Sequence, residues 1–351
     1  MRRNPEVQGA AMPVGPDGVL NLLKPPGMTS HDIVYRVRRL GFPKAGHTGT
    51  LDPGAAGVLP VCVGRATRIS EYLGALGKGY RAEITLGVTT STDDGSGAVV
   101  SRTDASQVTN DDVEQALVRF VGEMEQVAPV LSAKKFRGVR SYDIVRAGGV
   151  PERRTVRVRV YAAKLVRFEP GAVARATVDI SCSSGTYVRN ICSDLGRALG
   201  CGGYMSFLLR TRSGPFRLAD ALTLEEMSSA LEGGLPASET AGPGCAGAGP
   251  LARGFAGMAE ALSFMRGAVL AAPAVERVLN GHAPSVEDVL RWVSAVSTRA
   301  GDVEGALPGD EGLFPGLVRL ISEEDRLVGI ARVDGSPWSE AGSIALEKVF
   351  P

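Results

Sequence analysis

The sequence contains few histidines and no paired cysteines, and these shortages exclude the common metal sites. Only three histidines occur among its 351 residues, and none lies at metal-ligand spacing from another. Five cysteines are present, but they form no C-x-x-C pair, and an odd number argues against a disulfide framework. We therefore expect no metal site, and we interpret the cysteines as reduced thiols of a cytoplasmic protein.

Motifs for nucleotide cofactors and for serine hydrolysis are missing as well. There is no P-loop, and no G-x-G-x-x-G motif follows a strand and opens a helix, so no cofactor is expected. The G-x-S-x-G turn of serine hydrolases is also absent. No apolar run approaches the roughly 20 residues of a membrane-spanning helix, so we expect no membrane contact. Chemistry by a carboxylate nucleophile, which needs neither metal nor cofactor, remains open.

The charge balance is nearly even, but its distribution along the chain is not. The net charge of +1 gives no support by itself for a nucleic-acid partner. Basic residues form three clusters, at Arg36, Arg38, Arg39 and Lys44, at Lys134, Lys135, Arg137 and Arg140, and at Arg153, Arg154, Arg157 and Arg159. Acidic residues gather later in the chain. Each basic cluster alone is more simply interpreted as a solvated surface than as a binding face.

Short apolar runs and helix-spaced apolar residues predict the elements of a mixed fold. We predict strands at 19–23, 61–63, 80–88, 156–160 and 178–182. We predict helices at 30–40, 66–76, 110–121 and 188–199. Because strands outnumber helices and hairpin-like neighbours dominate, the sequence indicates an α+β fold around a mixed, largely antiparallel sheet.

Composition suggests how the chain is divided into parts. We predict a flexible N-terminal tail at 1–17, which lacks the apolar core of a secretory signal, and a main domain at 18–229. Residues 230–257 are rich in glycine, alanine and proline, which is typical of a linker or insertion. In the last part, 258–351, three short apolar segments at 317–321, 327–333 and 343–350 predict a small β-barrel.

The stretch at 46–60 is dense in glycine and proline and carries the imidazole of His47 and the carboxylate of Asp52. Pro53 fixes its own φ and moves Asp52 out of the helical region. A carboxylate held at a rigid, partly apolar turn is a candidate for chemistry. A plain connecting turn is an equally good interpretation of the composition, since Asp-Pro favours turn initiation.

This stretch resembles the catalytic motif of the TruB-type tRNA pseudouridine-55 synthases, with G-H-T-G-T-L-D-P continued by A-G-V-L. Five further segments resemble motifs of that family in the same order. They are L-L-K-P-P-G at 22–27, K-G-Y-R-A at 78–82, S-A-K-K at 132–135 followed by Gly138 and Tyr142, S-G-T-Y-V-R at 184–189 and L-L-R-T at 208–211. The order and spacing agree from about residue 19 to 225, a specific combination.

The resemblance implies three catalytic residues. Asp52 matches the family aspartate, which acts as nucleophile or adduct-former, and the sequence does not show which carbon it attacks. Arg189 matches the arginine that pairs with it, and a cation there would hold Asp52 ionised. Tyr80 matches the tyrosine that stacks on the target base, although a plain core tyrosine is the alternative.

The resemblance also implies four substrate-binding residues. His47 matches the histidine that fills the space left in the RNA by the flipped base, with a structural histidine as the alternative. Lys24 would support the active-site turn or meet phosphate. Tyr187 and Leu208 would form walls of the base pocket, and either could equally be a core residue.

The implied activity is conversion of uridine 55 in the T-loop of tRNA to pseudouridine, after the base is flipped out. The implied fold is the pseudouridine synthase type, with a PUA-like RNA-binding domain at 258–351. The expected partner is the tRNA T-arm, with no cofactor and no obligatory protein partner. Two alternatives are a tRNA-binding or tRNA-folding protein whose catalysis is secondary, and a guide-RNA-dependent homologue that needs partner proteins.

Overall fold

The described chain forms a ten-stranded sheet, a five-stranded sheet and two small two-stranded sheets, with helices packed against the larger two. The structure, a computed structural model, describes residues 16–127, 135–136, 139–140, 155–232, 250–295, 313–334 and 343–351. The first elements are β1 (Gly18–Lys24), α1 (Ser30–Arg39), β2 (Ala45–His47), β3 (Ala56–Val63), α2 (Ser70–Ala75), β4 (Lys78–Leu86), β5 (Val88–Thr90), β6 (Val99–Arg102), α3 (Asn110–Val118) and β7 (Gly122–Val127).

The middle elements are β8 (Lys135–Phe136), β9 (Val139–Arg140), β10 (Thr155–Glu169), β11 (Ala174–Cys182), α4 (Val188–Ala198), β12 (Gly203–Ser213), β13 (Phe216–Arg217) and α5 (Leu224–Glu232). The last elements are α6 (Pro250–Gly254), β14 (Phe255–Gly257), α7 (Met258–Ala261), β15 (Arg266–Leu270), α8 (Ala272–Leu279), β16 (Val289–Val293), β17 (Leu317–Ile321), β18 (Leu327–Asp334) and β19 (Ser343–Val349). Short 3₁₀ helices lie at Gly64–Ile69, Leu218–Asp220 and Val286–Asp288.

The large sheet has ten strands and is mixed. Its order is β14-β1-β3-β12-β4-β11-β10-β7, with β2 paired to β3 and β13 paired to β12. Among its described pairs only β3 and β12 run parallel, and this pair brings Gly57 beside Arg210. The predicted α+β fold with a largely antiparallel sheet is confirmed.

Helices α1 and α4 fix the two segments that matter most for the site. A capping box between Thr29 and Asp32 starts α1, whose buried face packs on β1 and β3. Helix α4 buries Val188, Ile191 and Leu195 in the core beside strands β4 and β11. Both helices lie where the apolar spacing predicts them, because three- and four-residue intervals place those side chains on one face.

Two predicted helices differ from the observed ones. The segment predicted as one helix at 66–76 is divided between the 3₁₀ helix Gly64–Ile69, which begins two residues earlier, and α2. The helix predicted to reach residue 121 ends at Val118, and Phe120 donates to the carbonyl of Leu117 in a tight turn. Apolar periodicity continues through such turns, so it does not mark where α-helical hydrogen bonding stops.

A second sheet, ordered β16-β15-β17-β18-β19, follows in the C-terminal part. The three predicted apolar segments form β17, β18 and β19. Among the described residues its edge strands β16 and β19 do not pair with each other, so the barrel stays a prediction. This part shares an apolar core with the large sheet, in which Phe264 and Phe350 accompany Val19 and Val58.

The predicted divisions of the chain are only partly visible. Residues 1–15 of the predicted tail and 233–249 of the predicted linker lie outside the described residues. Within the described part of 230–257, helix α5 continues to Glu232, and β14 pairs with β1 in the large sheet. No helix of the described chain is both long and apolar enough to cross a membrane.

Candidate active site

Asp52 lies on the loop between β2 and β3. The first residue of α1, Ser30, holds this loop in place. The hydroxyl of Ser30 accepts a hydrogen bond from the Leu51 amide at 2.8 Å and donates to the Leu51 carbonyl at 3.2 Å. Leu51 is 3% exposed, whereas 44% of the Asp52 side chain is exposed. The loop therefore buries its leucine and presents its carboxylate.

Lys24, the last residue of β1, also holds the Asp52 loop in place. Its fully buried ammonium donates to the carbonyls of Met28 at 2.6 Å, Pro25 at 2.9 Å and Pro53 at 3.2 Å. The amide of Gly27, at φ +88°, also donates to Pro53. Burial lowers the pKa of Lys24 to about 8, although the charge of Asp52 opposes that shift. Lys24 thus ties the K-P-P-G turn to the residue after Asp52.

Arg189, the second residue of α4, lies between two carboxylates. Its Nε is 3.2 Å from Oδ2 of Asp52, and its Nη1 is 3.2 Å from Oδ2 of Asp94. Arg189 is only 8% exposed, so these contacts are less screened by water than surface ion pairs. The contact with the guanidinium fixes the orientation of the Asp52 carboxylate.

Asp94 is itself held firmly in the turn after β5. Its Oδ1 accepts hydrogen bonds from the hydroxyls of Thr92 and Ser96 and from the Ser96 amide. Burial alone would raise the pKa of Asp94, but the hydrogen bonds from Ser96 and Thr92 and the charge of Arg189 outweigh it and lower the pKa. Asp94 therefore gives Arg189 a fixed anionic partner on the side away from Asp52.

Tyr80, on β4, is in contact with the buried guanidinium of Arg210 on the neighbouring strand β12. A side-chain hydrogen bond joins the two residues. Burial raises the pKa of the Tyr80 hydroxyl, although Arg210 acts in the opposite direction. The hydroxyl is accordingly a neutral hydrogen-bonding group at physiological pH.

A cavity of about 310 Å³ opens between the Asp52 loop, β4, β12 and the start of α4. Five of the predicted site residues line it together: Asp52, Tyr80, Tyr187, Arg189 and Leu208. The other two do not line this cavity. Lys24 holds the Asp52 loop in place as described, and His47 is the last residue of β2, where it pairs with Val61 of β3.

Gln126, the penultimate residue of β7, holds the start of α4 in place. Its Oε1 accepts from the Tyr187 amide at 2.8 Å, and its Nε2 donates to the Tyr187 carbonyl at 3.2 Å. Asn190 adds a reciprocal bond from its Nδ2 to the carbonyl of Val127 at 2.8 Å. Gln126 is 2% exposed. It therefore holds the backbone of Tyr187, two residues before Arg189, from a buried position.

Sequence reasoning missed Asp94, Gln126 and Arg210 as members of the site. Asp94 lies in a polar stretch that matches no motif, and Gln126 precedes the S-A-K-K motif at 132–135 without belonging to it. Arg210 stood inside the quoted L-L-R-T motif, in which only Leu208 received a role. The one available signal was an arginine that directly follows two leucines in a motif. An arginine in such an apolar segment is expected to have hydrogen-bond partners, since a guanidinium is seldom buried without them.

The arrangement supports carboxylate chemistry on a ligand of nucleoside size. The Asp52 carboxylate faces a cavity that two arginines, Arg189 and Arg210, and the neutral phenol of Tyr80 also line. The volume lies at the low end of the roughly 300–1,000 Å³ of small-ligand pockets. In the described parts of the chain, no group of three or more histidine, cysteine or acidic side chains could hold a metal ion.

Comparison with known proteins gives consistent matches. Residues 37–188 match the family model described as TruB family pseudouridylate synthase (N terminal domain), and residues 189–234 match the tRNA pseudouridylate synthase B C-terminal domain. The tRNA pseudouridine synthase B of Symbiobacterium thermophilum is 52% identical over 271 residues, which cover 77% of this chain and 84% of that protein. The protein of the same name from Pelotomaculum thermopropionicum is 50% identical over 222 residues, covering 62% and 70%.

Solved structures agree with the fold. A chain from a Cbf5–Nop10–Gar1 complex superposes with a TM-score of 0.67 at 27% identity, covering 95% of this chain and 84% of that one. A chain from an H/ACA RNP bound to a substrate RNA containing 2′-deoxyuridine gives a TM-score of 0.66 at 26% identity, covering 95% and 85%. The chain belongs to the TruB family of pseudouridylate synthases.

Proposed function

We propose that this chain is a tRNA pseudouridine synthase, an isomerase that converts uridine 55 in the T-loop to pseudouridine. The observation that carries the proposal is the Asp52–Arg189 ion pair at 3.2 Å on the wall of a nucleoside-sized cavity. The relatives of about half identity, named tRNA pseudouridine synthase B, support tRNA as the substrate.

The target base has to leave the RNA stack to reach Asp52. A cavity of about 310 Å³ has the size of one nucleoside and is too small for a stacked duplex, so the uridine has to enter flipped out, at a cost of a few kcal/mol. Tyr80, Tyr187 and Leu208 form its walls and hold the base by stacking and apolar contact. His47 lies outside this cavity, and we assign it to the gap that the flipped base leaves in the RNA.

The reaction exchanges one glycosidic bond for another without adding or removing atoms. Asp52 attacks the sugar-base unit, and the C1′–N1 bond breaks with its electron pair leaving on the base. The bond that the carboxylate forms breaks again before the product leaves, so Asp52 is regenerated. The base turns, its C5 bonds to C1′, the C5 proton departs and N1 gains a proton. Arg189 orients the Asp52 carboxylate toward the substrate, and Asp94 and Gln126 keep Arg189 in place.

Exposed arginines on β10 support an RNA-binding face near the site. Val158 and Val160 point into the core, whereas Arg157 and Arg159 are exposed on the opposite side of the strand. We assign these arginines to the phosphate backbone of the T-arm, and we assign the C-terminal sheet to a PUA-like RNA-binding domain. Replacing both arginines by glutamate should flatten the slope of log affinity against log salt.

The proposal predicts activity on tRNA without a guide RNA or a second protein. An unmodified tRNA transcript with uridine at position 55 is incubated with the purified chain and digested to nucleosides. We expect one pseudouridine per tRNA, and none in a matched transcript with cytidine at position 55. A first transcript without any pseudouridine would contradict the proposed activity. Pseudouridine in the second transcript would contradict the proposed target position, uridine 55. Dependence on an added guide RNA would favour the guide-dependent alternative.

A further inference from the structure

Arg210 is a buried cation in the cavity wall whose hydrogen-bond partners are all neutral. It is 1% exposed, and its Nε donates to the carbonyl of Val58 at 2.7 Å. Nη2 donates to the carbonyl of Gly49 at 3.0 Å, and Nη1 makes a longer contact of 3.5 Å to Thr50. Arg210 lies directly opposite Tyr80 in the register of β12 and β4, and the Tyr80 hydroxyl is its remaining side-chain partner. In the described part of the chain no carboxylate pairs with this guanidinium.

The Tyr80 hydroxyl can pass this charge on to a ligand. A guanidinium has donors and no acceptor, so Arg210 donates to the Tyr80 oxygen, and the hydroxyl keeps its own proton for another acceptor. Hydrogen bonds in such a chain polarise one another, and the effect is stronger where water is excluded. Tyr80 and Arg210 both line the cavity, so this chain of hydrogen bonds lies in the wall of the space for the substrate.

Asp52 and Asp94 form ion pairs with Arg189, and neither carboxylate forms an ion pair with Arg210. A buried charge without a counter-charge destabilises the folded protein. An anionic state inside the cavity would supply the missing partner. The proposed reaction creates such a state, because the C1′–N1 electron pair leaves on the base and spreads over N1, O2 and O4.

We propose that Arg210 is a positioning residue that acts through the Tyr80 hydroxyl to stabilise the negative charge on the departing uracil. The inference rests on the proposed pseudouridine synthase activity and assigns the group that supports its leaving base. No co-reactant is needed, since an electron pair of the base forms the new C5–C1′ bond, and the proton that C5 loses balances the proton that N1 takes up. Donors held in place before the charge develops lower the barrier without reorganising.

The test compares two T-arm stem-loops, one with uridine and one with 5-fluorouridine at the target position. Fluorine withdraws electrons, so the fluorinated base carries negative charge more readily and depends less on Arg210. Single-turnover loss of the target nucleoside is followed by digestion for the wild type and for Arg210→Met. We expect Arg210→Met to be about 100-fold slower on uridine and no more than about tenfold slower on 5-fluorouridine, with unchanged RNA affinity.

Two further variants separate this role from a structural one. Tyr80→Phe keeps the ring and removes the hydroxyl, so it should show the same selective loss, and adding Arg210→Met to it should change little. Arg212→Met removes the next buried arginine of β12, which does not line the cavity, and should slow both substrates by the same factor. If Arg210→Met does not fold, the selectivity of Tyr80→Phe decides the question.

Equal slowing of the two substrates by Arg210→Met, or by Tyr80→Phe if the first variant does not fold, would overturn the inference. Weaker RNA affinity with an unchanged rate would overturn it too, and would assign Arg210 to a backbone phosphate. In both cases an active wild type leaves the proposed function intact. A wild type that converts neither substrate would refute the proposed function and this inference together.

Discussion

Asp94 supports Arg189 from the side away from Asp52, so its replacement tests whether that support matters for the reaction. Asp94→Asn keeps the shape of the side chain, and its Oδ1 can still accept from Thr92 and Ser96. It removes the negative charge 3.2 Å from a guanidinium that is 8% exposed. A hydrogen bond between charged groups contributes about 1.5–3 kcal/mol. If the transition state loses this stabilisation energy, the rate falls roughly 10- to 150-fold.

The rate is measured under single-turnover conditions as tritium release from C5-labelled uridine in a T-arm stem-loop. RNA affinity should stay unchanged, because Asp94 does not line the cavity. Asp93→Asn is the matched control, since asparagine tolerates the φ of +57° at that position, and it should keep the wild-type rate. A wild-type rate for Asp94→Asn, or a loss of affinity in place of rate, would refute the role of Asp94.

Three further predictions concern the scaffold of the site. Gln126→Met removes both hydrogen bonds to the Tyr187 backbone, so the unfolding free energy in urea should fall by about 1–3 kcal/mol and the single-turnover rate should fall with unchanged RNA affinity. The pKa of Lys24 is about 8 in the folded chain and 10.5 as its ordinary value. Between pH 8 and pH 10.5 the unfolded chain therefore binds more protons at Lys24 than the folded chain, so the unfolding free energy rises with pH. From pH 7 to 9.5 the unfolding free energy of the wild type should gain about 2 kcal/mol more than that of Lys24→Met. Gly57→Ala, at φ +116°, would place its Cβ 2.2 Å from a backbone oxygen of β12 and should sharply lower the melting temperature, whereas Gly46→Ala, with nothing within 4 Å, should change it little.

The regular elements were predictable because their apolar residues recur at the spacing of the element. The alternation in β4 and the three- and four-residue spacing in α4 fix which face is buried, whatever the rest of the chain does. The ends of elements were less predictable. Gly87, at φ +87°, ends the predicted strand at 80–88 and separates β4 from β5. Such breaks depend on the backbone and not on the apolar pattern.

The candidate site was predictable where a motif contains the residue, and not where a distant residue completes it. Asp52, Tyr80 and Arg189 each stand in a recognisable segment, and the fold brings all three to one cavity. Asp94 contacts Arg189 across 95 positions of sequence, and Gln126 contacts Tyr187 across 61. These partners are chosen by the order of strands in the sheet, which no local pattern of residues reveals.

The central claim is that the carboxylate of Asp52 performs the exchange of glycosidic bonds. It is tested most directly by tritium release from C5-labelled uridine in a T-arm stem-loop, with excess enzyme and with wild type and Asp52→Asn compared at equal RNA occupancy. Asparagine keeps the size of the side chain and removes the negative charge beside Arg189. We predict one tritium released per stem-loop by the wild type and none above background by Asp52→Asn. Equal release by the two proteins would contradict the account.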